Sequence, residues 1–186
     1  VVVGTGRTAN VPAVLAALPD DRVFHLTKYL SHIAALPDHC RRIGVLGASQ
    51  SAVELLLDLM ARFPEKEIYS VQRGFGFRLK DTSPFSDRVY FPEFIDYFYG
   101  LSAHGKANLG RQLRGTNYSS ADGDVIHQLY VKIYEEKLHG KQRFHLLSNQ
   151  ALDDASVTPD GAIALQLREV NTGTASAREL DALVMS

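Results

Sequence analysis

The chain has 186 residues, of which 45% are hydrophobic and 22% are charged, and its formal net charge is −1. This length and composition predict one globular domain with a buried core, and they argue against two large domains. A net charge near zero provides no basic field, so we expect neither nucleic acid nor an acidic membrane surface as a partner. No apolar run approaches the roughly 20 residues of a membrane span. The single cysteine, Cys40, excludes an intramolecular disulfide framework and predicts a reducing, cytoplasmic compartment.

The first half of the chain alternates between predicted strands and predicted helices. Strands are predicted over 1–3, 22–25, 42–46 and 67–72, and a short helical piece is predicted around 13–18. The most strongly patterned helix runs over 49–63, where an apolar stripe recurs at helical spacing before Pro64 ends it. A strand, a helix and a second strand in this order predict a parallel sheet.

The second half begins with a segment, 73–91, that has no steady period. A loop of that length within a compact domain is often functional. Helices are predicted over 92–100, 102–114 and 122–138. Four strands follow over 143–147, 150–157, 162–169 and 180–185, with a Thr-Pro-Asp-Gly hairpin turn at 158–161. The predicted fold class is α/β: a Rossmann-like dinucleotide-binding domain with a parallel sheet, an added helical segment and a β-hairpin.

The turn after the strand over 42–46 is built like a dinucleotide-binding turn. The glycines of that fingerprint permit a tight turn, close approach of the backbone to a pyrophosphate and close packing of the helix. Gly47, Ser49 and Ala52 occupy these three places, and only the first is a glycine. Ser49, Gln50 and Ser51 then lie at a helix N-terminus, whose N–H groups and dipole favour a phosphate.

Two arginines follow the next strand, where NAD-binding folds place an acidic residue that holds the ribose 2′-OH. Arg73 lies 26 residues after Gly47, and Arg78 lies five residues further on. Arginine at this place favours the 2′-phosphate of NADP(H) over the free hydroxyl of NAD(H). The alternative interpretation is that both side chains are solvated surface charges.

Four longer segments carry a more specific signal. They read VFHLTKYL (23–30), GASQSAVE (47–54), RGFGFRLKDTSPFSDRVYFPEFIDYFYG (73–100) and RGTNYSSADGDVIHQLY (114–130). In this order and spacing the chain, essentially from residue 1 to residue 186, resembles the N-hydroxylating flavoprotein monooxygenases, the ornithine and lysine N-hydroxylases of siderophore biosynthesis.

The resemblance implies that residues 1–186 are the NADPH-binding domain of such an enzyme. In the family, NADPH reduces FAD, the reduced flavin reacts with O2 to hydroxylate a primary amine, and NADP+ stays bound. The opening VVVGTG and the closing LDALVMS resemble strands that connect to the family's FAD domain, so we interpret both ends as cuts through a larger architecture. The FAD site is expected to be incomplete and this chain alone to be inactive. Homo-oligomerisation is a further expectation.

The resemblance also implies roles for individual residues. Gln50 and Ser51 match residues that hold the pyrophosphate and its ribose, and Lys28 matches a lysine near the 2′-phosphate. Arg78 matches an arginine that packs on the adenine end. Ser83 belongs to the loop that shapes the pocket, and Asn117 matches an asparagine that holds NADP+ near the flavin.

Phe91 departs from the family pattern. Ornithine hydroxylases typically have Phe-Asn-Pro-Glu where this chain has Tyr90-Phe91-Pro92-Glu93, and that asparagine contacts the amino-acid end of the substrate. Because phenylalanine cannot make those hydrogen bonds, a substrate without an α-amino-acid head, such as a diamine, becomes plausible. The alternative is that Phe91 packs in the core and another residue holds the substrate.

Two other functions remain open from the sequence. The chain could be the nucleotide domain of a different two-dinucleotide flavoprotein, or a non-catalytic interaction module that has lost nucleotide binding. Its seven histidines show no metal-binding spacing, so no metal site is expected.

Overall fold

The computed structural model describes residues 3–4 and 8–186, with only the backbone of Asn117. The predicted strand over 1–3 and the turn after it therefore lie outside the described residues, except for Val3 and Gly4. Val3 is 77% exposed and lies in no strand.

A five-stranded parallel sheet forms the centre of the molecule. Its strand order is β1-β8-β2-β3-β4, and every neighbouring pair is parallel. The strands are β1 (Val23–His25), β2 (Arg42–Leu46), β3 (Glu67–Val71), β4 (Phe144–Leu147) and β8 (Ala182–Met185). This arrangement confirms the predicted α/β class and its parallel sheet.

Helices cover one face of this sheet. They are α1 (Tyr29–Ala34), α2 (Gln50–Arg62) and α6 (Gly123–Leu138). Helix α2 buries its predicted apolar stripe against Ile43 and Val45 of β2, and Leu129 of α6 joins the same core. None of the helices within the described ranges is long and apolar enough to cross a membrane.

The opposite face is covered by a second sheet, which is antiparallel and has three strands. These are β5 (Gln150–Val157), β6 (Ile163–Glu169) and β7 (Ala175–Leu180), in the order β5-β6-β7. Leu165 and Leu180 of this sheet pack against Leu183 of the parallel sheet in a second apolar core. The chain is thus a three-layer molecule of helices, a parallel sheet and an antiparallel sheet.

Two elements differ from the sequence prediction. The strand predicted over 180–185 is two strands in different sheets, because Asp181 separates β7 from β8 and accepts hydrogen bonds from the backbone N–H groups of Arg41 and Arg42. The predicted β-hairpin, which corresponds to β5 and β6, is therefore part of a three-stranded sheet that also contains β7. The short helix α1 was not predicted, because its six residues contain only one full helical repeat of apolar positions, Tyr29 and Ile33.

The added helical segment contributes no residue of its first two helices to the buried cores. It comprises α3 (Pro92–Gly100), α4 (Ala103–Gln112) and α5 (Arg114–Asn117). Neither α3 nor α4 has a buried residue. Phe91 precedes α3 and is 54% exposed, so the alternative that Phe91 packs in the core of this chain is wrong.

Candidate functional site

The candidate site lies at the carboxyl edge of the parallel sheet. Strands β3 and β4, which follow β2 in the chain, lie on one side of β2 in the sheet. Strands β8 and β1 lie on the other side of β2. The gap between β2 and β8 is therefore the place where the strand order reverses. Open α/β sheets bind ligands in the crevice that such a reversal creates outside the strand ends.

Gly47 forms the tight turn at this reversal. Its φ angle is +145°, and its N–H donates a hydrogen bond to the carbonyl of Val71 at 3.1 Å. A Cβ atom at Gly47 would lie 2.8 Å from the carbonyl oxygen of Ser186, which follows β8. Both the backbone angle and the contact explain why glycine is kept at the first place of the fingerprint, whereas Ser49 can replace the second glycine in extended backbone.

Gln50 connects the start of α2 to a distant segment of the chain. Its backbone N–H donates to the carbonyl of Ser120 at 3.0 Å, and its Oε1 accepts from the N–H of Asp122 at 2.8 Å. Its Nε2 donates to Glu54 at 2.8 Å. Residues 115–122, which we call the strap, are thereby fastened across the helix N-terminus. The first-turn N–H groups of Ser51 and Ala52 have no partner within the helix and are suited to an anion.

The strap also holds the loop that follows β3. The N–H of Ala121 donates to the carbonyl of Arg78 at 2.9 Å, and the N–H of Lys80 donates to the carbonyl of Ala121 at 2.9 Å. The N–H of Asp81 donates to the carbonyl of Gly115 at 2.8 Å. Three segments that are far apart in sequence, carrying Gln50, Arg78 and Asn117, are therefore assembled at one edge of the sheet.

The two arginines that follow β3 both have exposed side chains. The backbone of Arg78 is fixed by the strap, and that of Arg73 directly follows the buried Gln72. Both guanidinium groups are already in solvent, so they can reach a ligand at the sheet edge without leaving a buried environment. They bring local positive charge to a chain whose formal net charge is −1.

Ser83 shapes the loop between Arg78 and Phe91. Its N–H donates to Oδ1 of Asp81 at 3.0 Å, and its Oγ accepts from the N–H of Phe85 at 3.3 Å. Hydrogen bonds from the hydroxyl of Ser86 and then from the N–H of Ser83 hold the pKa of the Asp81 carboxyl below its ordinary value. Asp81 therefore stays ionised and organises this loop at neutral pH.

Phe91 directly follows Tyr90, whose side chain joins the loop to the strap by a further hydrogen bond. The hydroxyl of Tyr90 donates to the carbonyl of Thr116 at 3.3 Å, one residue before Asn117 at the end of α5. The segment that carries the predicted substrate residue is thus joined to the segment that carries the predicted nucleotide residue.

Lys28 stands apart from the other predicted site residues. It follows β1, and its Nζ pairs with Asp20 at 2.6 Å, an ion pair in which both side chains are more than half exposed. In the strand order, β8 and β2 lie between β1 and β3, so about 14 Å separates the ends of β1 and β3 at the usual strand spacing. Lys28 therefore starts from a strand end that is separated from the one carrying Arg73 and Arg78, and its Nζ is paired with Asp20.

Sequence reasoning missed the hydrogen bonds of the strap residues Ser120 to Asp122 and the burial of Gln72. These strap residues directly follow the Thr-Asn-Tyr-Ser motif, so their position was visible, but their hydrogen bonds to Gln50 span about 70 residues and have no local pattern. Gln72 is a polar residue directly after a buried strand, and only the structure shows that its side chain is 2% exposed.

Comparison with known proteins identifies the family and the fold. The family model for L-lysine 6-monooxygenase/L-ornithine 5-monooxygenase matches residues 1–186. The chain is 38% identical over 188 residues to an L-ornithine N(5)-monooxygenase of Burkholderia cepacia and covers 42% of that protein.

Two solved structures show the same fold. One is the ornithine N-hydroxylase of Kutzneria sp. 744 with reduced FAD, NADP+ and L-ornithine, at a TM-score of 0.88 and 25% identity over 97% of this chain and 43% of that chain. The other is the FAD-bound cadaverine monooxygenase of Erwinia amylovora, at a TM-score of 0.88 and 28% identity over 98% of this chain and 42% of that chain.

The chain spans less than half the length of these relatives. The match nevertheless extends over its whole sequence, includes each of the segments that meet at the strap and reproduces the three-layer fold. The chain therefore belongs to the L-lysine 6-monooxygenase/L-ornithine 5-monooxygenase family.

Proposed function

We propose that residues 1–186 are the NADPH-binding domain of a FAD- and NADPH-dependent monooxygenase that N-hydroxylates a primary amine in siderophore or related biosynthesis. The observation that carries this proposal is the strap, which contains the Thr-Asn-Tyr-Ser motif and joins the dinucleotide turn to the arginine loop at the sheet's point of strand reversal. The Kutzneria ornithine N-hydroxylase was solved with NADP+, which is consistent with a nucleotide site in this fold.

The residues at this edge fit the chemistry of NADP(H). Gly47 allows the backbone to approach the pyrophosphate, and the first turn of α2, with Ser49 and Ser51, supplies donors to it. Arg73 and Arg78 supply charge for the 2′-phosphate and the adenine end. Ser83 holds the loop shape, and Asn117 is proposed to hold the nicotinamide half near the flavin.

The bound nucleotide supplies the hydride, and FAD in the remainder of the enzyme supplies the oxygen chemistry. The part of this chain is to bind and orient the nucleotide. Because the strap closes over the N-terminus of α2, it is placed to limit the access of water to the pyrophosphate.

Calorimetric titration of the chain with NADP+ and with NAD+ tests the nucleotide proposal. We expect NADP+ to bind more tightly, and Arg78→Ala to weaken NADP+ binding by about tenfold while NAD+ binding changes less. Arg73→Ala should act in the same direction. Arg168→Ala is the matched control, because Arg168 is half exposed and pairs with Asp153 on the antiparallel sheet. A preference for NAD+, or equal losses for both nucleotides, would contradict the 2′-phosphate assignment.

Lys28→Ala tests whether Lys28 binds the 2′-phosphate together with Arg78. Because Lys28 follows β1 and pairs with Asp20, we expect its loss to weaken NADP+ binding less than the loss of Arg78 does. A loss as large as that of Arg78→Ala would place Lys28 at the 2′-phosphate, as the family resemblance implies.

We further propose that Phe91 favours an amine without an α-amino-acid head, such as a diamine. The support is that Phe91 is exposed beside the strap, where the family's asparagine would hold the head group. The cadaverine monooxygenase named above acts on such a diamine. In the complete flavoenzyme, Phe91→Asn should raise kcat/KM for ornithine relative to cadaverine. Phe85→Asn, which changes a phenylalanine 84% exposed on the same loop, is the control. An unchanged ratio in Phe91→Asn would exclude this role.

A further inference from the structure

Two polar side chains are buried without partners behind the candidate site. Gln72 is 2% exposed and Ser70 is 0% exposed. Neither Oε1 nor Nε2 of Gln72, nor Oγ of Ser70, has a hydrogen-bond partner among the described residues. Buried carboxamides are nearly always paired, so an unpaired one calls for a physical explanation.

Gln72 is adjacent to the dinucleotide turn. It directly follows β3, and the register that pairs Val71 with Leu46 places Gln72 beside Gly47. Side chains alternate along a strand, and Val71 faces the antiparallel sheet, so Ser70 and Gln72 face the helix layer into which the turn leads. Hydrogen bonds to Leu147 at 3.1 Å and from Gln150 at 2.8 Å fix the backbone of Gln72. Its side chain is therefore the part that can change partner.

Gln72 and Arg73 both follow β3, at the end of the strand where dinucleotide folds read the adenosine ribose. In NAD-binding folds, an acidic residue at the end of the second strand of the unit accepts hydrogen bonds from the ribose hydroxyls. A carboxylate there would repel a 2′-phosphate, whereas a neutral carboxamide can donate to the phosphate through Nε2 and accept from a ribose hydroxyl through Oε1. A polar group that destabilises the free protein and pairs only with its ligand is a recognised compromise between stability and function.

We propose that Gln72 is a specificity-determining residue whose carboxamide pairs with the 2′-phosphorylated adenosine ribose when the nucleotide binds. The inference rests on the proposed nucleotide-binding function and adds the residue that selects the phosphorylated nucleotide. Gln72 acts together with the exposed Arg73 next to it, which supplies the charge, while Gln72 supplies the directed donor.

The test uses two substitutions at Gln72 and one control. Gln72→Met keeps the length of the side chain and removes both polar atoms. Gln72→Glu introduces the acid of NAD-binding folds. Ser70→Ala is the matched control, because Ser70 is also buried and unpaired on the same face but lies two residues further from the site. For each protein we would measure the midpoint of thermal unfolding without nucleotide and the Kd values for NADP+ and NAD+.

We expect Gln72→Met to raise the unfolding midpoint by about 2 °C or more, because the buried unpaired amide is removed. The same change should weaken NADP+ binding about tenfold and weaken NAD+ binding less, because NAD+ lacks the 2′-phosphate that Nε2 contacts. Gln72→Glu should reduce the preference for NADP+ over NAD+ by at least about tenfold. Ser70→Ala should leave that preference unchanged.

Three results would overturn the inference while leaving the proposed function intact. A lower unfolding midpoint in Gln72→Met would mean that the carboxamide is already satisfied in the free protein. Unchanged nucleotide preference in Gln72→Met, with normal binding by the unsubstituted chain, would remove Gln72 from the site. An equal change in the preference for NADP+ over NAD+ in Ser70→Ala and Gln72→Met would mean that removing any buried polar group near the site has this effect. If the unsubstituted chain bound neither nucleotide, the proposed function itself would fail, and this inference would fail with it.

Discussion

Gly47 is the residue at which the local backbone most strictly limits the choice of side chain. Its φ of +145° lies in a region that side chains rarely adopt, and a Cβ there would meet a carbonyl oxygen at 2.8 Å. We expect Gly47→Ala to lower the free energy of unfolding by about 1–3 kcal/mol, because backbone strain and the contact both oppose the methyl group. Urea unfolding followed by circular dichroism measures this loss.

Gly110 provides the matched control for Gly47. It lies within the exposed helix α4, and a Cβ there would meet nothing within 4 Å. Gly110→Ala should therefore stabilise the protein by about 0.5–1 kcal/mol, since alanine restricts the unfolded chain and favours the helix. Losses of the same size at both positions would show that the turn at Gly47 is not specially constrained.

Asp181 is a partly buried carboxylate whose hydrogen bonds make the stability of the fold depend on pH. Burial opposes its ionisation, but hydrogen bonds from the Arg42 guanidinium and the N–H groups of Arg42 and Arg41 outweigh this and lower the pKa of Asp181. A carboxyl whose pKa is lower in the folded state contributes stability above its unfolded pKa of about 3.9, and this is lost as the pH falls through the folded value.

We therefore expect Asp181→Asn to lower the free energy of unfolding by about 1–3 kcal/mol at neutral pH. The difference from the unsubstituted protein should be constant between about pH 5 and 8 and should shrink below about pH 4. Denaturant unfolding at several pH values measures it. Asp153→Asn, which breaks an exposed pair with Arg168, should cost at most about 1 kcal/mol. A constant difference down to about pH 2 would contradict this account of Asp181.

Secondary structure elements were predictable where their own residues carry a repeating pattern. Helix α2 shows a full apolar stripe, and α6 was predicted within one residue of its observed start, because long amphipathic helices have a strong period. Strand β7 was missed because five of its six residues, Ala175 to Glu179, are small, polar or charged and lie at least partly exposed on an edge strand. Its strand conformation depends on pairing with β6, which no local pattern records.

Helices α3 and α6 have apolar residues with very different surroundings. Ile95 of α3 is 67% exposed, whereas Leu129 of α6 is 1% exposed in the core between α2 and the sheet. Leu129→Ala should lower the free energy of unfolding by about 2–5 kcal/mol, because it opens a cavity. Ile95→Ala should change it by less than about 0.5 kcal/mol.

Urea unfolding at two protein concentrations compares these two helices. Similar losses of unfolding free energy in both variants would show that the side chain of Ile95 is buried in the folded protein in solution. A loss in Ile95→Ala that grew with protein concentration would locate that burial in an association between copies of the chain.

The sequence indicates the separate parts of the candidate site but not their assembly. Residue types and the glycine turn indicated a phosphate at Gly47 and a 2′-phosphate near Arg73 and Arg78, since each signal lies within a few residues. The strap and the distance of Lys28 from the arginines follow from strand order and long-range hydrogen bonds. These depend on the packing of the whole chain, so a single sequence contains no direct signal for them.

At the scale of the whole molecule, Arg143 joins three elements at the sheet edge opposite the candidate site. Its guanidinium donates to the carbonyls of Met60 at 2.7 Å and Phe63 at 2.8 Å, which end helix α2, and it pairs with Glu136 of α6. Both charged side chains are about 90% buried, so each requires the other. The pair thereby fixes α2, α6 and the start of β4 relative to one another.

We expect Arg143→Met to lower the free energy of unfolding by about 3–5 kcal/mol, since it leaves the Glu136 carboxylate buried without its partner and uncovers the carbonyls of α2. Glu136→Gln should cost less, because its amide can still accept from Arg143. In the double variant, the loss should be smaller than the sum of the single losses by about 0.5–3 kcal/mol, since the unpaired carboxylate is also removed. Denaturant unfolding of the four proteins measures this coupling. Strictly additive losses would mean that the two charges act independently and that Arg143 stabilises the fold only through the carbonyls at the end of α2.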